Sequence, residues 1–240
     1  MKNTLRTLFT LAAVGQFTLA AFAADEAGFK PLFNGKDLTG WEGRKEHWTV
    51  AGGCIVGTTT KETPAKGNNF LIAKDAGQNL IVGDFELRLS YKFTGTFGNS
   101  GIQFRSKELP DYVVSGYQAD CEVGKTYSGI LYEERGRGIL AKRGEKVVIH
   151  EGDAPGKPKI EVTGSLGKTD DIQTKINVND WNDYVVIVKG NHIQQFINGT
   201  PTVDVTDETA IGAKEGILAL QLHAGPPMQI EFKNIRIKKL

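Results

Sequence analysis

Between residues 84 and 93 apolar and polar side chains alternate without a break. Phe85, Leu87, Leu89, Tyr91 and Phe93 stand against Asp84, Glu86, Arg88, Ser90 and Lys92. Side chains two apart in a strand point the same way, so this stretch predicts a strand with one buried and one wet face. The period of two recurs along the chain. Gly101, Gln103 and Arg105 oppose Ile102 and Phe104; Gln118, Asp120 and Glu122 oppose Tyr117, Ala119, Cys121 and Val123. Leu218, Leu220 and Leu222 oppose Gln221 and His223.

Shorter strands are expected at 48–57, broken at Gly52-Gly53, at 71–74 and within 129–141. Residues 181–189, 192–197 and 202–205 read as a meander turning at Gly190-Asn191 and Asn198-Gly199, pairs that tolerate positive φ. Asn198-Gly199-Thr200 is also a glycosylation sequon, but the turn alone accounts for it. Ile230, Phe232, Ile235 and Ile237 change parity at Lys233-Asn234, the mark of a bulge. Residues 142–174 are rich in Gly, Pro and charge, apart from a β-prone run at 146–150, and are expected to form a long lid or rim. No amphipathic helix, repeat or low-complexity tract interrupts this pattern. Many short strands with Gly-rich turns predict an all-β fold, a two-sheet antiparallel jelly-roll sandwich, as one domain over 24–240.

The first residues stand apart. Lys2 and Arg6, an apolar run at 8–20 and Ala21-Phe22-Ala23 together read as a signal peptide over 1–23. The run is short for a span of about 20 residues, so a cleaved, exported protein in the periplasm or outside the cell is expected, with no membrane attachment after cleavage. Lys and Arg number 29 against 28 Asp and Glu, a net charge of +1, which gives no bias towards nucleic acid. Cys54 and Cys121 are compatible with a bridge or with two buried thiols, Cys121 having core parity. The three tryptophans, Trp41, Trp48 and Trp181, are expected in the core. Cofactors are not expected; Asp37, Asp170 and Asp171 could serve a structural calcium, but without metal-loop spacing no metal is predicted.

If the three patterned strands belong to one sheet, Gln103, Arg105, Gln118, Asp120, Glu122, Gln221 and His223 could converge on one polar surface. Each has a plainer alternative. Asp120 and Glu122 could be a solvated strand face, His223 a strand-end residue, and Arg105 a cross-strand partner of Asp120. Glu133, Glu134, Arg135 and Arg137 could form a loop ion-pair network.

Over its whole length past the leader the chain resembles the 3-keto-disaccharide hydrolase domain family. The resemblance is carried, in order, by Phe33-Asn34-Gly35-Lys36-Asp37-Leu38-Thr39-Gly40-Trp41, Trp48 with Gly53, Asn99-Ser100-Gly101-Ile102, Gly116-Tyr117-Gln118-Ala119-Asp120, Trp181-Asn182 and Phe232-Lys233-Asn234-Ile235-Arg236-Ile237. Many members have Glu-x-Gln where this chain has Gln118-x-Asp120; others share its form. The resemblance implies a concanavalin A-like lectin/glucanase jelly roll with a carbohydrate-binding concave face, and a glycoside oxidised at C3 as substrate.

A ketone there acidifies the C2 proton; base removal gives an enolate that expels the group at C1, and water then adds. On that chemistry Asp120 or His223 is expected as base, Arg105 as oxyanion stabiliser, and Glu122 or Glu133 as acid. Gln103, Gln118, Gln221, Tyr132, Arg135 and Asn99 are expected to hold the sugar. Ordinary hydrolysis by two carboxylates is a second route, Asp120 and Glu122 being about 7 Å apart along one strand face. The rival to an enzyme is a non-catalytic, lectin-like binding domain on the same fold. Expected partners are thus a glycoside or oligosaccharide, with no nucleic acid.

Overall fold

The computed structural model describes residues 27–154 and 156–240; the expected leader at 1–23 lies outside the described residues. The chain opens with short pairings, β1 (Lys30–Pro31), β2 (Trp41–Glu42), β3 (Trp48–Ala51) and β4 (Cys54–Thr59). β3 and β4 turn at Gly52 and Gly53, whose φ of 58° and 76° are left-handed values that glycine adopts without a Cβ clash. Next come β5 (Asn69–Asp75), β6 (Gln78–Asn79), β7 (Ile81–Val82), β8 (Phe85–Thr94), β9 (Asn99–Leu109) and β10 (Val113–Glu122). β11 (Leu131–Glu134), β12 (Gly138–Ala141), β13 (Glu145–Ala154) and β14 (Lys157–Ser165) lead to one short helix, α1 (Thr169–Gln173). β15 (Asn182–Lys189), β16 (His192–Ile197), β17 (Thr200–Asp207), β18 (Gly216–Leu222) and β19 (Met228–Lys239) complete the chain.

The strands form two sheets packed face to face, an antiparallel-rich jelly-roll sandwich. One runs β14-β13-β17-β16-β15-β8-β19-β4-β3, the other β12-β11-β10-β9-β18-β5-β2. The alternating residues of β8 behave as their period demands: Phe85, Leu87, Leu89, Tyr91 and Phe93 are buried in a shared core with Ile102, Phe104, Tyr117, Ala119, Leu220 and Leu222 of the facing sheet. Phe85 meets Phe104 edge-on across the sandwich at 6.0 Å, and Phe104 stacks on Tyr117 at 5.6 Å. The parity change in β19 is a register shift between Lys233 and Arg236, with Asn234 at a φ of 55°.

Two expectations are corrected. Residues 142–174 are not a lid: most of them form the β13–β14 hairpin, which extends the first sheet, β13 lying parallel to β17. Trp181 is not a core residue; it is half-buried, with the Lys233 ammonium 3.7 Å and the Lys92 ammonium 5.0 Å from its ring centre. Trp41 and Trp48 are buried, their indole N–H groups donating to Leu32 O and Asn69 Oδ1.

Cys54 and Cys121 are both buried free thiols, and burial raises the pKa of each. Native protein treated with an alkylating reagent should therefore keep both thiols unmodified, because the thiolate is the reactive form. After unfolding without reductant, mass spectrometry should count two adducts; none would reveal a bridge.

Candidate functional site

A pocket of about 630 Å³ opens on the outer face of the second sheet, away from the sandwich core. Pairing places its floor. Gln118 lies opposite Gln103 across β9–β10 and opposite Tyr132 across β10–β11, while Glu134 lies opposite Gly116. Residues directly opposite share a face, so Gln103, Gln118, Tyr132 and Glu134 all project outward. Gln221 joins them from β18, with Ala219 paired to Gln103.

These side chains are buried although they lie outside the apolar core: Gln103, Gln118, Asp120, Glu134 and Gln221 are each less than a tenth exposed. Their hydrogen bonds are therefore mandatory. Gln118 Oε1 accepts from Gln103 Nε2 at 2.5 Å and from Gln221 Nε2 at 2.9 Å. With its oxygen so engaged, Gln118 turns its Nε2 to donate to Asp120 Oδ1. Gln221 Nε2 also reaches Glu134 Oε2 at 3.2 Å, and Asn68 Nδ2 reaches the same carboxyl at 3.3 and 3.4 Å. Gly101 makes room for this layer: a Cβ there would lie 2.5 Å from Gln118 Cγ. Gln221 Oε1 is buried, unpartnered and on the pocket lining, an acceptor awaiting a donor.

The electrostatics follow from the burial. Asp120 is held well above the ordinary carboxylate range by desolvation, with the charges of Glu134 and Glu122 acting in the same sense against the Gln118 bond. Glu134 is raised by burial too, partly offset by its bonds from Asn68 and Gln221 and by the nearby His223 and Arg135. Tyr132 is raised by burial and then by the two carboxyls. His223 stands half-buried at the pocket wall, its Nδ1 2.5 Å from Ala224 O. A carbonyl only accepts, so Nδ1 carries the hydrogen, and in the neutral ring Nε2 is then the acceptor. Phe97, Tyr127 and Ile139 supply apolar wall.

Of the residues expected from sequence, Asp120, Glu122, His223, Gln118, Gln221, Tyr132 and Asn99 line this pocket, and Gln103 lies directly beneath it. Three do not belong to it. Arg105 sits in a bulge, where β9 and β10 slip register between Ser115 and Tyr117 and its own φ is 46°. The bulge throws the side chain off its counted face. Its guanidinium is buried elsewhere, on Gly83 O, Gly190 O, Ala213 O and Asp84 Oδ1, so it pairs with Asp84 and not with Asp120. Glu133 points to the opposite side and binds Arg137 through Nε at 2.7 Å, Arg137 in turn holding Asp207 at 2.7 Å. Arg135 is exposed in the turn after β11, with a φ of 52°.

Glu122 reaches the pocket wall, but its Oε1 is committed to the backbone N–H groups of Thr126 and Tyr127 at 2.5 and 2.7 Å. Glu134, expected only in a loop ion-pair network, and Asn68, not singled out in the sequence, both line the pocket. The signal for Glu134 was present: it shares parity with Tyr132, as Glu133 does not. Among the described residues no group of three or more His, Cys, Asp or Glu could hold a metal ion, and no helix is long and apolar enough to cross a membrane.

A jelly-roll sandwich with a pocket of amides, carboxyls and aromatic rings on one sheet defines a carbohydrate-directed protein. Within that class the chain belongs to the 3-keto-alpha-glucoside-1,2-lyase-like domain family, whose sequence model matches residues 28–238. No curated protein matches it. Two structures from Parabacteroides distasonis, each described as a candidate glycosyl hydrolase, share the fold. The first is 18% identical with a TM-score of 0.56 over 89% of this chain and 94% of that one. The second is 20% identical, with a TM-score of 0.55 over 88% and 99%. A Bacillus subtilis protein of unknown function with a galectin-like fold, 11% identical, superposes with a TM-score of 0.53 over 88% and 94%.

Two outcomes test the site. Because the raised Asp120 binds its proton more tightly in the folded chain, its contribution is fully present below the ordinary carboxylate pKa of about 4 and is lost as pH rises through the raised folded value. Calorimetric melting of Asp120→Asn beside the wild type should show a gap moving in the variant's favour from about pH 4 upward; parallel profiles would deny the raised carboxyl. Gly101→Ala should displace Gln118 and lower stability by about 1–3 kcal/mol in urea titrations, the scale for leaving a buried polar group unpaired.

Proposed function

We propose that the protein is an exported hydrolase or lyase, periplasmic or extracellular, that cleaves a 3-keto-glycoside by acid–base chemistry in this pocket, using side chains alone. The observation that carries the reading is Asp120: a carboxyl with its Oδ1 occupied by Gln118, kept towards the neutral form by burial among other carboxyls. A neutral acid in a desolvated site donates a hydrogen bond to a developing enolate far better than it would in water.

In this mechanism the C3 ketone oxygen accepts from the Asp120 hydroxyl at Oδ2. His223 Nε2 takes the C2 proton, and the electron pair moves towards C3 as the enolate. Collapse breaks the C1–O bond, and Glu134, raised by its own burial, protonates the leaving oxygen. Water then adds at C1, giving its proton to Glu134, while His223 returns its proton to C2, which yields 3-keto-glucose and restores both side chains. Gln221 Oε1 accepts from a ring hydroxyl, and Tyr132 and Phe97 face the sugar's apolar side. The aromatic wall also favours a second reading, binding without turnover.

Purified protein incubated with 3-keto-trehalose, 3-keto-lactose and the two parent sugars should release 3-keto-glucose from the oxidised pair only. Asp120→Asn, Glu134→Gln and His223→Ala should each lower kcat by about 10²–10³. The wild-type rate should fall as pH rises through the raised Asp120 value, since the neutral form is the active one. Unchanged turnover in the variants overturns the assignments. Equal cleavage of the parent sugars selects ordinary two-carboxylate hydrolysis, and saturable binding without product selects the binding reading.

A further inference from the structure

A second pocket, of about 390 Å³, lies on the far side of Asn68, which lines both. The tip of the β9–β10 hairpin borders the second pocket through Asp111 and Val113, with Tyr112 and Val114 packing on Phe70 and Ile72. Nothing in the acid–base reading uses this second space. Its chemistry is polar. Only Pro64 and Val113 are apolar, and besides His47 its ionisable side chains balance, Arg44 and Lys66 against Glu46 and Asp111.

Two further groups are fixed by hydrogen bonds beneath it. The Trp48 indole can only donate, so Asn69, which lines the second pocket, faces it with Oδ1 at 3.1 Å and keeps Nδ2 free of that bond. That Nδ2 is buried and unpartnered, on a side chain 4% exposed. His47 Nδ1 lies 3.1 Å from the Thr58 carbonyl, which only accepts; in the neutral ring Nε2 is then an acceptor. A spare donor and a spare acceptor on residues lining one pocket suit hydroxyl groups, which need both.

We propose that the second pocket is the subsite for the leaving unit, and that this unit is a neutral, hydroxyl-rich ring. The inference rests on the reading of the first pocket as the reacting-sugar site. It also gives Asn68 a place: the bond joining the two rings would cross at Asn68, where the side chain holds Glu134 and accepts the Ala224 N–H at 3.0 Å. The acid thus stands at the junction, beside the oxygen that departs.

Gly67 offers a clean test. It lines the second pocket, and a Cβ built on it meets nothing within 4 Å, so Gly67→Trp fills the space without strain. Calorimetric binding of trehalose and of methyl glucoside reads the subsite whether or not turnover occurs. Trehalose should bind at least tenfold tighter than methyl glucoside, and G67W should remove that advantage while leaving methyl glucoside unchanged. With oxidised sugars, G67W should lower kcat/KM for 3-keto-trehalose about tenfold and not for methyl 3-keto-glucoside. Equal affinities, absence of binding by either sugar, or equal effects of G67W on both overturn the subsite, even where 3-keto-glucose is released. The predicted binding pattern with no cleavage supports the subsite and overturns the catalytic reading alone.

Discussion

The site depends on the orientation of one amide. Gln118 sits where two other side-chain amides converge on its oxygen, so its nitrogen has a single place to go, the carboxyl of Asp120. A buried amide that accepted nothing would carry a cost of about 1–3 kcal/mol, which makes the arrangement cooperative: no member can turn without stranding another. The missing side chain of Gly101 leaves the room in which this layer lies flat on the sheet. From that orientation follows the state of Asp120. Its charge has no cation to meet among the groups that shift it, only Gln118 and two other carboxyls, so burial decides.

The period of two made much of this legible before any coordinates. It placed β8, the polar face of β10 and the outward glutamine of β18, because a strand whose one face is core can hardly slip without turning its apolar set to water. It failed where the count itself breaks. Arg105 shares the parity of Gln103 in the sequence, but the bulge between them and Gly116 resets the face, and no residue in the stretch announces it. Glu133 was a different failure. Tyr132 and Glu133 cannot both look into one pocket from one strand, so consistent use of parity favours Glu134. The 142–174 segment hid for a third reason: β14 is an edge strand exposed on most of its length, and without a buried face there is no alternation to read.

Arg105, expected in the pocket, and Arg137, expected in a loop ion-pair network that its bond to Glu133 bears out, have a common physical sense. Arg105 and Arg137 are both buried, and both are surrounded by fixed acceptors, backbone carbonyls with Asp84 for one and Glu133 with Asp207 for the other. A guanidinium presents five donors in a rigid fork, so it is well suited to join loops where strands end. Most of these donors are engaged, four bonds for Arg105 and five for Arg137, and neither side chain lines the pocket. The pocket is consequently acidic and amidic, without a buried cation at its floor, and any negative charge developing there must be met by neutral donors.

That absence of a cation among the groups acting on Asp120 bears on whether the pocket is a binding module or an enzyme. Recognition of a neutral sugar needs amides, a few hydroxyls and an aromatic wall, all of which keep their character at any pH. It does not need two carboxyls removed from water, both shifted upward and linked through Gln118 and Gln221, the side-chain oxygen of Gln221 being left unsatisfied. Burying such groups costs stability that a binding site has no reason to forgo, whereas proton transfer at neutral pH depends on carboxyls whose affinity for a proton has been lifted towards the working range. Glu134 is held by Asn68, the residue that lines both pockets, so on the proposed reading the same argument extends from the reacting ring to the bond that would leave it.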